Sequence, residues 1–254
     1  MVHEMHGSAA GAVPDVVSPL LFAGTLRGTV HSHALGLEDD PTVNTTVDLM
    51  VRLKVMDLVT QTAWITFTEK LGFAGTLRGM VHYWYWGMEA EGKDRETIIG
   101  EIDRVIRFDG AFTNQNKHRY RLCAGGETHR GDLDLDKDYP VMDTQGSPPD
   151  LNGLVAFDCL VREKRPAREI GFTERLNSRL KGVAVSDLRY GEVWRLILKA
   201  PAGDAALEEV ERMLVSRSRR EGLLLNPHYQ RYKIMTVRSF GDPWLPSPSA
   251  RMEG

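Results

Sequence analysis

Phe22–Gly28 reads FAGTLRG, and Phe73–Gly79 reads FAGTLRG again, 51 residues further on. Each copy is followed by one variable position and then Val-His, at Val30-His31 and Val81-His82, with another glycine in register at Gly36 and Gly87. Agreement over so many positions marks an internal duplication in the N-terminal half. Leu21–His33 is interrupted by Gly24 and Gly28 yet carries Thr25, Thr29 and Val30, which reads as a strand whose glycines permit a bulge or a close backbone approach. Arg27 and Arg78 fall at the same place in each copy, at the rim of a curved sheet or paired across it. The plainest alternative is that each FAGTLRG is a structural corner and nothing more.

Outward from the repeat, the chain continues in strand-like pieces. Thr45–Val55 puts Val47, Leu49, Val51, Leu53 and Val55 on one face and Asp48, Arg52 and Lys54 on the other, the period of a half-buried strand. Trp64–Thr68, Ile98–Phe108 and His118–Leu122 read as further strands, with no long helix between them. Six or more bent antiparallel strands predict a closed or nearly closed β-barrel over residues 19–145, a size that can hold one small ligand. Residues 1–18, small, polar and proline-containing, read as a mobile leader.

The 254 residues allow one large or two modest domains. With 32 basic and 35 acidic residues, no overall field favours nucleic acid or an anionic membrane. The two cysteines, Cys123 and Cys159, lack metal-ligand spacing and are expected in a reduced, cytoplasmic setting. No run of apolar residues is long enough to span a bilayer.

The aromatic run His82-Tyr83-Trp84-Tyr85-Trp86 is the densest in the chain. On a strand, His82, Trp84 and Trp86 face one way and Tyr83 and Tyr85 the other. Trp84 and Trp86 are expected to face the lumen as a wall for an aromatic or lipophilic ligand, against the alternatives of plain core or an oligomer contact. His31 and His33 share a strand face, and His82 holds in the second copy the place of His31 in the first; converging imidazoles could act as acid and base or bind a metal, though hydrogen-bonded rim residues are the commoner outcome. The candidate ligand-binding set is therefore His82, Trp84, Trp86, Tyr85, Arg78, His31 and Arg27. Asp132, Asp134, Asp136 and Asp138 alternate with leucines but lack the glycine and terminal glutamate of a calcium loop, so no metal is assigned. There is no GxSxG, P-loop or GxGxxG motif, and no cofactor is expected.

Asp143–Gly153, rich in proline, glycine and small polar residues, has a linker composition, with the linker itself placed at 146–153. Beyond it, Leu154–Val161 reads as a strand, Ala167–Leu180 as a helix, and Val183–Leu188 and Val193–Leu198 as strands about the turn Arg189–Glu192. A helix capped by Asp204 carries the stripe Leu207, Val210, Met213 and Leu214, and His228–Val237 is a last strand. The expected order is βαββαβ, a ferredoxin-like arrangement over 154–238, with 239–254 as a tail. The whole is thus an α+β protein, an antiparallel barrel followed by a ferredoxin-like unit.

Two resemblances attach to these residues. Ser186–Gly191, Asn226-Pro227 and the strand holding Tyr232 and Ile234 resemble PurS, the small subunit of phosphoribosylformylglycinamidine synthase, over 154–237. That resemblance implies a homo-oligomer formed through the PurS-like half, glutaminase and synthetase subunits as partners, and no chemistry in the subunit itself. Phe22, Thr25, Arg27, Gly28 and the later Arg119–Leu122 resemble the lipocalin-like accessory domain of GMC-type oxidoreductases, which implies the barrel rather than flavin chemistry. The sequence is read first as a non-catalytic ligand-binding and assembly protein, with no nucleic-acid or membrane partner. The alternative is a barrel enzyme acting on an aromatic or lipophilic specialised metabolite.

Overall fold

The computed structural model describes residues 42–55, 57–126, 128–135, 153–165, 169–199, 204–218 and 222–239. The first FAGTLRG copy, the leader and all of the linker but Gly153 lie outside the described residues. Strands β1 (Val43–Leu53), β2 (Leu77–Gly92), β3 (His118–Ala124), β4 (Thr128–Gly131), β5 (Val155–Glu163), β6 (Val183–Leu198) and β7 (Gln230–Ser239) form one antiparallel sheet in the order β4-β3-β1-β2-β6-β5-β7. The sheet is open: β4 and β7 are its edges and do not pair with each other. The expected barrel is therefore corrected to an open mixed α+β sheet.

The barrel fails because two segments expected as strands are helical. Ile98–Phe108 belongs to α2 (Arg95–Phe108), whose buried Ile98, Ile99, Ile102, Val105 and Ile106 recur with the helical period. Asp94 caps α2 by accepting from the Thr97 amide at 2.7 Å. Trp64–Thr68 lies in α1 (Leu58–Ile65) and the wider turn Thr66–Lys70 that continues it. Asp57 is the α1 cap, accepting from Val59 at 2.9 Å. The second FAGTLRG copy contains a short 3-10 turn, Phe73–Gly75, before β2 begins at Leu77.

The second half also differs from βαββαβ. Val183–Leu198 is a single strand, and the expected turn Arg189–Glu192 runs straight through it, paired residue for residue with β2. Gly191 sits opposite Tyr85, where an added Cβ would come within 2.7 Å of Leu160 on β5; the glycine serves close packing, not a turn. With α3 (Glu169–Asn177) and α4 (Asp204–Leu214), the order is β5-α3-β6-α4-β7.

That order is the one of the first half, β1-α1-β2-α2-β3, and the likeness extends to atoms. The Lys54 amide donates to Lys117 O and its ammonium to Gln115 O; the Lys164 amide donates to Tyr229 O and its ammonium to Pro227 O. Asn114 Oδ1 accepts from the Asn116 amide and Asn226 Oδ1 from the His228 amide, while the two asparagine amides donate to His118 Nδ1 and Gln230 Oε1. Tyr120 donates to Asp103 on α2, and Tyr232 donates to Glu211 on α4. Val47 and Leu49 lie opposite Met88 and Trp86; Phe157 and Cys159 lie opposite Leu196 and Trp194. The described chain is thus two copies of one β-α-β-α-β unit, joined where their longest strands, β2 and β6, pair about an approximate two-fold axis near Trp84 and Glu192.

The copies exchange helices across that axis. Leu176 of α3 is buried with Val47, Leu49, Ile98, Ile102 and Leu122 of the first unit. Phe67, in the wide turn continuing α1, is buried with Phe157, Cys159, Val210 and Met213 of the second. Arg175 of α3 and Arg179 just after it both pair with Asp109 at the end of α2, at 2.6 and 2.9 Å, fixing one exchanged helix to its host.

Candidate functional site

The pairing of β2 with β6 sorts the aromatic run between the sheet's two faces. His82, Trp84 and Trp86 point to the helix-covered face, where Trp86 joins the core of the first unit. Tyr83 and Tyr85 pack on the other face with Met50, Val81, Leu133, Leu160 and Val193.

On the helix side, Trp84 and Trp86 line a cavity of about 310 Å3 completed by Gly110, Ala111 and Phe112 after α2, His118 of β3, Phe172 of α3, and Leu188 and Tyr190 of β6. Its aromatic rings meet edge to face or tilted: Trp86 with Phe112 at 5.7 Å and with Tyr190 at 5.3 Å, Phe112 with Phe172 at 5.6 Å, and Trp84 with His118 at 5.2 Å. The volume falls in the range of small-molecule sites. His118 Nδ1 accepts from the Asn114 amide, which leaves the proton of the neutral ring on Nε2. Burial and the nearby Lys117 hold the His118 pKa below its ordinary value, so the wall stays uncharged near neutrality.

His82 lies under a different part of the sheet. Its Nδ1 is 3.0 Å from Asp57 Oδ2, its Nε2 is 3.6 Å from Glu192 Oε2, and its ring stacks on Trp194 with centroids 4.4 Å apart. Burial lowers the pKa of this imidazole, but the carboxylates of Glu192 and Asp57 outweigh it and leave the group above its ordinary value. The longer contact is beyond hydrogen-bond reach, and Nε2 has no hydrogen-bond partner among the described residues. His82 is 8% exposed and forms no part of the cavity wall. It ties the α1 cap to β6.

The other candidates separate further. Arg78 donates from Nη1 to Ala74 O at 2.8 Å and from Nη2 to Gly75 O at 3.0 Å, fastening the short turn of its own repeat. Tyr85 donates to Asp48 at 2.5 Å on the opposite face. His31 and Arg27 lie outside the described residues. Asp132 accepts from the Tyr120 amide, while Asp136 and Asp138 are also outside. Among the described residues no three histidine, cysteine or acidic side chains are grouped to hold a metal. No described helix is long and apolar enough to cross a membrane.

Sequence reasoning brought Trp84 and Trp86 to the site but missed Phe112, His118, Phe172 and Tyr190. Phe112 and Phe172 sit where an exchanged helix meets the end of its host, a juxtaposition that only the repeat of the whole unit would reveal. Comparisons with protein-family models, with curated proteins and with solved structures found no match.

Proposed function

We propose that this is a non-catalytic ligand-binding and assembly protein whose ligand is an aromatic or lipophilic small molecule held between Trp84, Trp86, Phe112, Phe172 and Tyr190. The observation that carries the reading is the 310 Å3 cavity, walled by five aromatic rings and a neutral histidine. Such a wall offers stacking area and a few donors without a charge to neutralise. Among the described residues, the imidazole held by a carboxylate is that of His82, which is buried away from the cavity, and this favours binding over acid–base chemistry. The resemblance of residues 154–237 to PurS supports the assembly part, with self-association and synthetase or glutaminase subunits as the partners it implies. The pairing of two like units through β2 and β6 supports it as well, because it makes an assembled pair within one chain.

Native mass spectrometry tests both parts. The purified protein is expected as an oligomer carrying a small-molecule mass, and Ala111→Trp, which fills the cavity, is expected to lose that mass and keep the oligomer. Retention of the mass by the filled variant sinks the cavity as the site, and a monomer under all conditions sinks self-association.

A further inference from the structure

The internal repeat carries an observation beyond the first cavity. Trp194 stands in the second unit where Trp86 stands in the first, opposite Cys159 as Trp86 is opposite Leu49. The segment Leu223-Leu224, three and two residues before Asn226, matches Ala111-Phe112 before Asn114. Trp194, Leu223 and Leu224 line a second cavity, of about 420 Å3, whose remaining wall is Leu58, Val59, Thr62 and Ala63 of α1, the exchanged helix on that side. Each unit thus builds a cavity from the same three parts: the β-strand tryptophan, the turn before the last strand, and the helix received from the other unit.

The two differ in ways that bear on the ligand. The second is wider and ringed by apolar side chains that water now wets: Leu58 is 73% exposed, Val59 56% and Leu223 42%. Burying such groups under a ligand is favourable in proportion to the apolar surface covered. In addition, Trp194 is 3% exposed and its Nε1 finds no hydrogen-bond partner among the described residues. An unsatisfied buried donor is costly, and an acceptor that reaches it removes that cost.

We infer that the cavity between α1 and Leu223-Leu224 is a second ligand site, taking an apolar molecule that bears a hydrogen-bond acceptor for the Trp194 indole. The inference rests on the reading of the first cavity as a ligand site, which it extends to the second unit. Bound ligand there bridges α1, from the first unit, to the turn before β7, from the second. Occupancy therefore clamps the exchange of helices on the side where the packing is less complete.

The test counts sites on the full chain with 8-anilinonaphthalene-1-sulfonate, an apolar body bearing an acceptor group, by isothermal titration and native mass spectrometry. Two probes per chain are expected. Ala111→Trp should remove one and Thr62→Trp the other; Thr62 is an exposed helix position, so its variant keeps the fold, as circular dichroism would verify. A count that Thr62→Trp leaves unchanged overturns the second site. If Ala111→Trp alone abolishes a single binding event, the first cavity stands and the second does not; if Thr62→Trp alone does so, the reverse holds. No binding to wild type overturns both. Trp194→Phe keeps an aromatic ring and deletes the donor, and is expected to weaken the sulfonate probe at the second site about tenfold. N-phenyl-1-naphthylamine, which lacks the sulfonate, should lose nothing; equal losses for the two probes would refute the role of the indole donor.

Discussion

Asp48 and Asp158 occupy equivalent places in the two units, 110 residues apart, yet a tyrosine hydroxyl holds the first and an arginine the second. Arg195 Nε and Nη2 reach Asp158 at 2.7 and 2.8 Å, while Tyr85 donates to Asp48 at 2.5 Å. Gly87 lies opposite Asp48 as Arg195 lies opposite Asp158. A Cβ at Gly87 would stand 2.8 Å from the Tyr85 hydroxyl, so the glycine leaves room for the substitute donor. Burial first, and then the Asp48 charge, push the Tyr85 pKa far above its ordinary value, which keeps the proton on the phenol.

The two pairs should therefore fail differently. Asp158→Ala removes the carboxylate that holds the buried Arg195, which keeps its bond to the Leu135 carbonyl, and is expected to cost about 3–5 kcal/mol in urea unfolding. Tyr85→Phe removes one hydrogen bond to Asp48 and should cost about 1–3 kcal/mol. Equal losses would show that Arg195 is not the buried counter-charge described.

His82 sets a pH dependence with a definite sign. Its folded-state pKa is raised above 6.5, so its contribution to stability is complete below about that pH and is lost as pH rises through the folded-state value. The melting temperature of wild type should fall across that window relative to His82→Gln, monitored by circular dichroism. Parallel curves for the two proteins would remove His82 as the titrating group.

The two thiols should separate by reactivity. Cys159 is fully buried, and burial followed by the neighbouring Asp158 raises its pKa; Cys123 is half-buried. With 5,5′-dithiobis-(2-nitrobenzoate), one thiol per chain should react in the native protein and both in denaturant. Cys123→Ser should abolish the native reaction.

The asparagine turns of the two units should be worth about the same. Asn114→Ala and Asn226→Ala each delete a side-chain acceptor for a backbone amide, and each is expected to cost about 1 kcal/mol. Because the turns belong to different units, the double variant should cost about the sum. Chemical denaturation of the three variants measures this directly.

Much of the sheet is visible in the sequence: the alternation in Val47–Leu53 gives β1, that of Tyr120 and Leu122 with arginines gives β3, and β5 lies where its apolar run falls. The helix α2 was hidden by its isoleucines, whose β-branching mimics a strand although their spacing is helical. The long repeat was legible in Asp48, Arg52 and Lys54 against Asp158, Arg162 and Lys164, and in Arg119-Tyr120 against Arg231-Tyr232. The seven-residue match of the FAGTLRG copies is the more conspicuous repeat, while the longer unit keeps mainly the residues that bear its hydrogen bonds. For the site, strand alternation alone places Trp84 and Trp86 together. The partnership of Phe112 with Phe172 depends on the helix exchange, which no local pattern encodes.

That exchange also bears on synthesis. The first unit has made β1, β2, α2 and β3 by Ala124, but its core still lacks Leu176, which the ribosome adds some fifty residues later. Until then, the apolar faces of Ile98, Ile102 and Leu122 have no cover from α3, and Phe67 awaits strands and a helix that do not yet exist. A nascent chain of this design passes through an obligatory sticky stage, and neither unit can serve as a finished template for the other. The apolar surface left bare between the synthesis of Ala124 and that of Leu176 is of the kind that chaperones cover and that aggregates when left exposed.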